Sequence, residues 1–261
     1  MRPVMFTLFG IPFYSYGIMT AIGFTVALIY ALREAKKNEI KSDLILDISF
    51  WFIISSIVGA RILFIIVEWD YYRQHPLDIF KIWEGGLVFY GGIILATITG
   101  IIYLKVKSQP VLLVADIFAP ALPLGETFGR WGCFLAGCCY GKPTSLPWGV
   151  VFPNLVGKPW VISSSLGLHL HPTQLYSSAA AFIVFLITQF FKRRKPYNGF
   201  LMILTFLLYA IERFIIEFFR GDERGWVIEG FLSTSQFISL IVIVTCGLFL
   251  FYFRKQGTVN N

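Results

Sequence analysis

The chain is organised as long apolar stretches separated by short polar loops. A helix that crosses a bilayer needs about 20 mostly apolar residues. Seven stretches meet that length, at roughly 14–32, 46–67, 86–104, 111–134, 174–191, 199–219 and 231–253. They predict an all-α, polytopic integral membrane protein with seven transmembrane helices in a single domain over 1–261. Because seven is odd, the termini fall on opposite sides. The segment from Tyr16 to Leu32 lacks a basic start and a small-residue cleavage site, which reads as a retained span and not a signal peptide. The longest loop, about 138–173, carries Gly141, Pro143, Pro147, Gly149, Pro153, Gly157 and Pro159. That density of breakers forbids a long helix. A loop of this length without an element of its own is usually a functional cover or binding loop. No internal repeat, low-complexity tract or soluble domain is visible.

Composition sharpens the class. Of 261 residues, 56% are hydrophobic and 14% charged, against about 25% charged in an average soluble domain, and mean hydropathy is +0.70. These values exclude an ordinary soluble globule and a disordered chain. The net charge of +7 would suggest nucleic acid in a soluble protein, but no compact basic domain exists to grip a duplex. It reads instead as topology. Loops after the first, third, fifth and seventh stretches hold Arg33, Lys36, Lys37, Lys41, Lys105, Lys107, the run Lys192 to Lys195, Arg254 and Lys255. The other side holds Arg2, Arg73, Lys81, Lys142, Lys158, Arg220 and Arg224. Lys and Arg collect on the cytoplasmic side, so the N-terminus is expected outside, the C-terminus in the cytoplasm, and the 138–173 loop outside.

Three arginines remain inside the stretches: Arg61, Arg130 and Arg213. Ionisable residues in a span cost several kcal/mol unless they pair or meet water, and are functional candidates by default. The fourth stretch also holds Asp116 and Glu126, broken by Pro120 and Pro123, and the sixth holds Glu212 and Glu217. Glu126 and Arg130 are four apart, as are Arg213 and Glu217, so each pair can meet on one helix face; Tyr209 extends the second stripe. These pairs can be locks between helices. Alternatively, several guanidiniums at the external end of their spans, at headgroup level, describe a phosphate site. Gly85, Gly86, Gly91 and Gly92 bracket the start of the third stretch, and Gly125, Gly129, Gly132, Gly137 and Gly141 punctuate the end of the fourth. They allow close helix packing, or free backbone N–H groups to approach an anion.

Cys133, Cys138 and Cys139 cluster, with Cys246 alone in the last stretch. Without a C-x-x-C pair, and with His169 and His171 the only nearby sequence candidates, no metal site is expected. An external disulfide or small residues in a tight turn are the other readings. His171 opens His-Pro-Thr-Gln-Leu-Tyr, where the proline suits a helix start.

Taken together these pieces resemble the prolipoprotein diacylglyceryl transferases. The resemblance begins at Tyr16-Gly17-Ile18-Met19 and Gly23, and continues through Gly59-Ala60-Arg61, Lys81-Ile82-Trp83-Glu84-Gly85-Gly86 and Gly91-Gly92. Ala115-Asp116, Pro123-Leu124-Gly125 and Gly129-Arg130-Trp131-Gly132-Cys133-Phe134 follow. It closes with His171-Pro172-Thr173-Gln174-Leu175-Tyr176 and Arg213 to Arg220. The resemblance implies a bacterial inner-membrane enzyme that moves the diacylglyceryl group of phosphatidylglycerol to a lipobox cysteine of a prolipoprotein, in contact with membrane lipid, without a cofactor or nucleic acid. On this chain it implies catalytic roles for Arg130, Arg213, Tyr90 and Tyr16. Substrate binding would involve Arg61, Gly91, Gly92, Glu126, Gly129, Gly132, Cys133, His171, Gln174, Tyr209, Glu217 and Arg220. The chain departs from the family in three places: Tyr90 replaces a histidine before Gly91-Gly92, Cys133 replaces an asparagine, and Cys138 replaces an acidic residue. A phenol with a pKa of about 10 is a poor base at neutral pH. The alternative reading is a membrane thiol–disulfide protein, or a lipid transferase with another acceptor, built on the cysteine cluster.

Overall fold

The computed structural model describes residues 2–81, 85–152, 167–221 and 225–257. Expectations that fall on Ile82, Trp83, Glu84, Pro153, Gly157, Lys158, Pro159 and Arg224, or on the side chains of Arg254 and Lys255, lie outside the described residues. The fold is mostly helical. Its helices are α1 (Ser15–Lys37), α2 (Ser42–Val67), α3 (Trp69–Tyr72), α4 (Phe89–Val106), α5 (Val111–Phe118), α6 (Ala121–Ala136), α7 (Thr173–Lys192), α8 (Phe200–Glu217) and α9 (Thr234–Gly257), with a 3-10 turn at Pro76–Phe80.

Two small antiparallel ribbons, not anticipated from the sequence, flank the helices: β1 (Val4–Leu8) with β2 (Ile11–Tyr14), and β3 (Trp226–Ile228) with β4 (Leu232–Ser233). In the first, Leu8 faces Ile11 across Phe9 and Gly10, both at positive φ (50° and 80°). Left-handed backbone at both central positions belongs to the tight hairpin turn whose twist matches its strands.

Six segments, α1, α2, α4, α5 with α6, α7 and α9, are long and apolar enough to cross a membrane. The sixth expected span coincides with α8, which is not among those six and whose 18 residues include Glu212, Arg213 and Glu217. Large apolar side chains such as Phe50, Ile62, Ile94, Ile183, Phe190 and Val244 are exposed on these helices, as an exterior facing lipid requires. The fourth expected span is broken at Ala119–Pro120, because proline lacks the N–H that would continue the ladder. Pro123 is tolerated because first-turn N–H groups have no intrahelical partner.

By packing, the chain falls into two compact units, residues 1–30 with 115–261, and residues 31–114. In the second unit α2 crosses α4 at glycines. A Cβ built on Gly59 would lie 2.3 Å from the Gly91 carbonyl oxygen, and one on Gly91 equally close to that of Gly59. Gly92 lies against the Ser56 carbonyl and Gly100 against the Phe52 ring.

In the first unit, the opening turns of α1 pack on α6 through Gly23 against Gly125, and Gly132 against Tyr16 and Met19. Asp116 is 4% exposed and organises the start of α8. Its Oδ2 accepts the Gly199 N–H at 2.9 Å and Lys195 Nζ at 3.1 Å, and its Oδ1 accepts the Met202 N–H at 3.2 Å. An intramembrane carboxylate is thereby satisfied by otherwise orphaned helix N–H groups and a cation. On α7 the buried positions Thr173, Gln174, Ser177, Ser178, Ala181, Val184 and Thr188 follow helical spacing. Much of that face is polar, and its hydroxyls and amides hold neighbouring segments.

Candidate active site

On α6, Arg130 donates Nε and Nη2 to the same Glu126 oxygen, at 3.0 and 2.7 Å. On α8, Arg213 Nη2 lies 2.6 Å from Glu217 Oε2 and donates to Ser235 Oγ on α9 at 3.0 Å. Both i,i+4 pairs expected from the spacing form. The side chains of Arg213 and Glu217 are 13% and 8% exposed, those of Arg130 and Glu126 21% and 22%. Tyr209 and Glu212 each lie within Coulombic reach of Glu126, Arg130 and Arg213, and so join the two pairs. Glu212 is buried and hydrogen-bonded to Ser177, and among the described residues its Oε1 has no hydrogen-bond partner. Two arginines paired on their own helices, one extra carboxylate and a phenol make a compact polar cluster. Guanidiniums here can exchange carboxylate for phosphate oxygen, because the planar fork of donors suits both acceptors.

The loop after α6 is pinned from α7 and from the end of α8. Gly137 ends α6 in the left-handed conformation (φ 75°), which reverses the chain there. Gln174 Nε2 then donates to the Cys138 carbonyl and Thr173 Oγ1 to the Cys139 carbonyl, each at 2.7 Å. Gly141 donates its N–H to the His171 carbonyl and Lys142 its own to that of Phe219. A Cβ at Gly141 would meet the Phe219 carbonyl and His171 Cβ at 2.5 Å, so only glycine fits. Arg220 is 5% exposed, bridges Gly141 through its backbone and hydrogen-bonds Cys139. The sulfurs of Cys133, Cys138 and Cys139 all lie within 4.8 Å of one another. The expectation of no metal site rested on spacing along the chain, whereas the Gly137 reversal brings residues five and six apart to one point. Hydrogen bonds from Cys133 and Cys138, with the Arg220 guanidinium nearby, hold the Cys139 thiol well below its ordinary pKa, and contacts with Cys133 and Cys139 push Cys138 up.

The Tyr176 hydroxyl accepts from Trp148 Nε1 at 2.8 Å and lies 3.2 Å from His171 Nδ1. The His171 ring also stacks edge-on against Phe219. Tyr16 is half exposed at the start of α1, within Coulombic reach of all three thiols. Gly129 has open space where a Cβ would stand, whereas Gly132 is taken up by contact with Tyr16 and Met19.

Arg61, Tyr90, Gly91 and Gly92 belong to the other unit. Arg61 is buried and commits its fork to backbone carbonyls: Nε to Ile79 at 3.0 Å, Nη1 to Gly85 at 2.9 Å and Gly86 at 3.3 Å, and Nη2 to Asp78 at 2.6 Å. Its guanidinium also lies 5.3 Å from the Tyr72 ring centre. It borders a cavity of about 190 Å³ lined also by Phe64, Tyr71, Asp78 and Lys81. This geometry makes Arg61 a strut that ties Asp78 and Ile79 to Gly85 and Gly86, and Gly91 and Gly92 the contact points of a helix crossing. Tyr90 stands in the first turn of α4 with its ring partly exposed.

Ser177, Ser235 and Trp148 escaped sequence reasoning. The polar face of α7 was a readable signal for Ser177. Nothing in the sequence distinguishes Ser235 or Trp148.

Comparison with known proteins bears on this arrangement. The sequence profile of the family described as prolipoprotein diacylglyceryl transferase matches residues 3–252. A Clostridium tetani protein named phosphatidylglycerol–prolipoprotein diacylglyceryl transferase is 42% identical over 259 residues, covering 98% of this chain and 100% of the relative. A Finegoldia magna protein of the same name is 38% identical, covering 98% and 97%. One from Nostoc is 34% identical, covering 97% and 90%.

Proposed function

The chain belongs to the prolipoprotein diacylglyceryl transferase family, and from that premise we propose that it transfers the diacylglyceryl group of phosphatidylglycerol to the lipobox cysteine thiol of a prolipoprotein. The observation that carries the reading is the pair of Arg–Glu couples, half-buried on α6 and largely buried on α8, within one compact unit. The reaction forms a carbon–sulfur bond at the glyceryl carbon and breaks its carbon–oxygen bond to phosphate. Glycerol phosphate leaves, and the thiol proton passes to a base or to the released phosphate. Arg130 and Arg213 grip the phosphate and offset the charge that builds on it. Glu126 and Glu217 hold the two forks in place before the lipid arrives, and Tyr209 and Arg220 border the headgroup. Tyr16 orients lipid or thiol by hydrogen bonding. Gly129 lets the headgroup approach the helix backbone, while His171 and Gln174 keep the surrounding loop in position.

In this reading the chain works as one seven-span domain, with α8 as its sixth span, in the bacterial inner membrane with its N-terminus outside. Arg130, Arg213 and the start of α7 then share the external end of the bundle, where a lipobox cysteine emerges from export. The thiol–disulfide alternative finds no support in the names of the relatives. Purified protein supplied with phosphatidylglycerol vesicles and a lipobox peptide should yield the thioether product by mass spectrometry. A folded preparation giving none would overturn the proposal. Accessibility labelling of single introduced cysteines in the two termini tests the orientation.

A further inference from the structure

We propose that Cys133, Cys138 and Cys139 form a binding site for one thiophilic divalent cation of the zinc class. Three sulfurs around one zinc, each at about 2.3 Å, stand about 3.8 Å apart, and these three already lie within 4.8 Å of one another. Small rotamer adjustments close the difference. The backbone that presents them is fixed from outside the cluster. Cys133 sits on the last turn of α6, and Gly137 turns the chain back. The carbonyls of Cys138 and Cys139 are held by Gln174 and Thr173, each 1% exposed. Cys139 itself is in the left-handed region at φ 60°, an uncommon conformation for a residue with a Cβ, and it aims the third thiol inward.

Charge favours the same occupant. Three thiolates and a divalent cation sum to one negative charge, and the buried Arg220 guanidinium bonded to Cys139 balances it. Arg130 also lies within Coulombic reach of Cys133. The thiols are half buried, so an ion can enter. On binding, each thiol gives its proton to solvent and its sulfur lone pair to the metal. Three protein ligands leave a fourth position, as catalytic zinc sites do. The phosphate clamp uses none of these sulfurs, so metal binding is measured without lipid or transfer activity.

The test uses the full chain in detergent, reduced, stripped with a chelator and titrated with Zn²⁺ or Co²⁺. One metal per chain is expected after desalting, with thiolate-to-cobalt charge-transfer absorption for Co²⁺ and protection of the three thiols from alkylation by bound Zn²⁺. Cys133→Ser, Cys138→Ser and Cys139→Ser should each weaken binding by at least about a hundredfold, since even outer partners of a metal site are worth about 10- to 100-fold. Cys246→Ser, remote in α9, should bind as the parent does. Metal retention unchanged by all three serine variants would overturn the proposal. So would failure of the parent protein, with its thiols shown reduced, to bind metal, or a disulfide joining two of the three that persists under reduction. If a serine variant does not fold, the cobalt spectrum and alkylation protection of the parent still decide.

Discussion

Replacing Arg130 with lysine separates the charge of the proposed clamp from its shape. Arg130 commits Nε and Nη2 to one Glu126 oxygen, and among the described residues no partner takes Nη1. An ammonium keeps the charge but gathers its three donors on one atom, without the planar fork that holds a carboxylate along one edge and presents Nη1 to an anion on another. The loss in the transition state is one charge-assisted hydrogen bond, about 1.5–3 kcal/mol. At about 1.4 kcal/mol per tenfold, kcat should fall about 10- to 160-fold. Because the substituted ammonium still neutralises Glu126, unfolding in detergent should move little, by less than about 1 kcal/mol in line with partly exposed ion pairs. KM for the lipid should rise less than kcat falls, as expected when the interaction is made chiefly in the transition state. The assay is single-turnover transfer from phosphatidylglycerol vesicles to a lipobox peptide, read by mass spectrometry alongside thermal unfolding. An unchanged kcat in R130K would show that the guanidinium is not the clamp. A fall in kcat matched by a fall in stability would show a lock between helices instead.

Glu217→Gln leaves the Arg213 guanidinium buried without its carboxylate, which should cost about 3–5 kcal/mol; an unfolding midpoint within a degree of the parent would refute the pair's structural weight. Gly91→Ala places a Cβ 2.3 Å from the Gly59 carbonyl oxygen. Backbone cannot swing aside, so α2 and α4 must part at a cost of about 1–3 kcal/mol, read as lower thermal stability in detergent, and a variant as stable as the parent would mean the helices do not touch there. In metal-free protein the Cys139 thiolate, held below its usual pKa, persists as pH falls while Cys138 is protonated. Alkylation mapped by mass spectrometry should therefore mark Cys139 first at pH about 6, well below the ordinary thiol value of about 8.5, and labelling of both only in alkaline solution would contradict this.

What can be read from the sequence is what is local. Spacing of four places Glu126 beside Arg130 and Arg213 beside Glu217, and both pairs form because i,i+4 neighbours meet whatever the rest of the fold does. Apolar length locates the helices to within a few residues, except where Pro120 splits one and where Gly85 and Gly86, at φ 91° and 74°, delay the start of α4 to Phe89. What escapes is non-local. Asp116 is an expensive charge on sequence grounds, but its partners are at the start of α8, more than 80 residues away. Arg61 has the chemistry of an anion receptor, yet its acceptors are carbonyls 17 to 25 residues on. The meeting of the three cysteine sulfurs is not visible in linear spacing, because it depends on the reversal at Gly137 that folds Cys138 and Cys139 back toward Cys133. Lone serines such as Ser235 carry no signal among apolar neighbours.

The way the charges are embedded bears on how the proposed site can be both stable and receptive. A guanidinium in hydrocarbon is tolerated only with a counter-ion, and here each counter-ion sits one turn away on the same helix. The pairs therefore assemble with the helices themselves and need no docking between elements. That also limits what they contribute to holding helices together, since buried ion pairs roughly break even against apolar packing. What they provide instead is a neutral resting state that an incoming anion can share without recharging the membrane interior. When a phosphodiester headgroup reaches Nη1 of Arg130, the Nε and Nη2 contacts to Glu126 need not break. As the carbon–oxygen bond lengthens and charge grows on the departing phosphate, the same fork can turn from carboxylate to phosphate by side-chain rotation alone. Stabilisation then rises along the reaction coordinate, which accelerates chemistry where uniform binding would not. On this account Glu126→Gln, which loosens the carboxylate's hold, should tighten lipid binding while lowering stability. A purely structural pair would lower stability and leave lipid affinity unchanged.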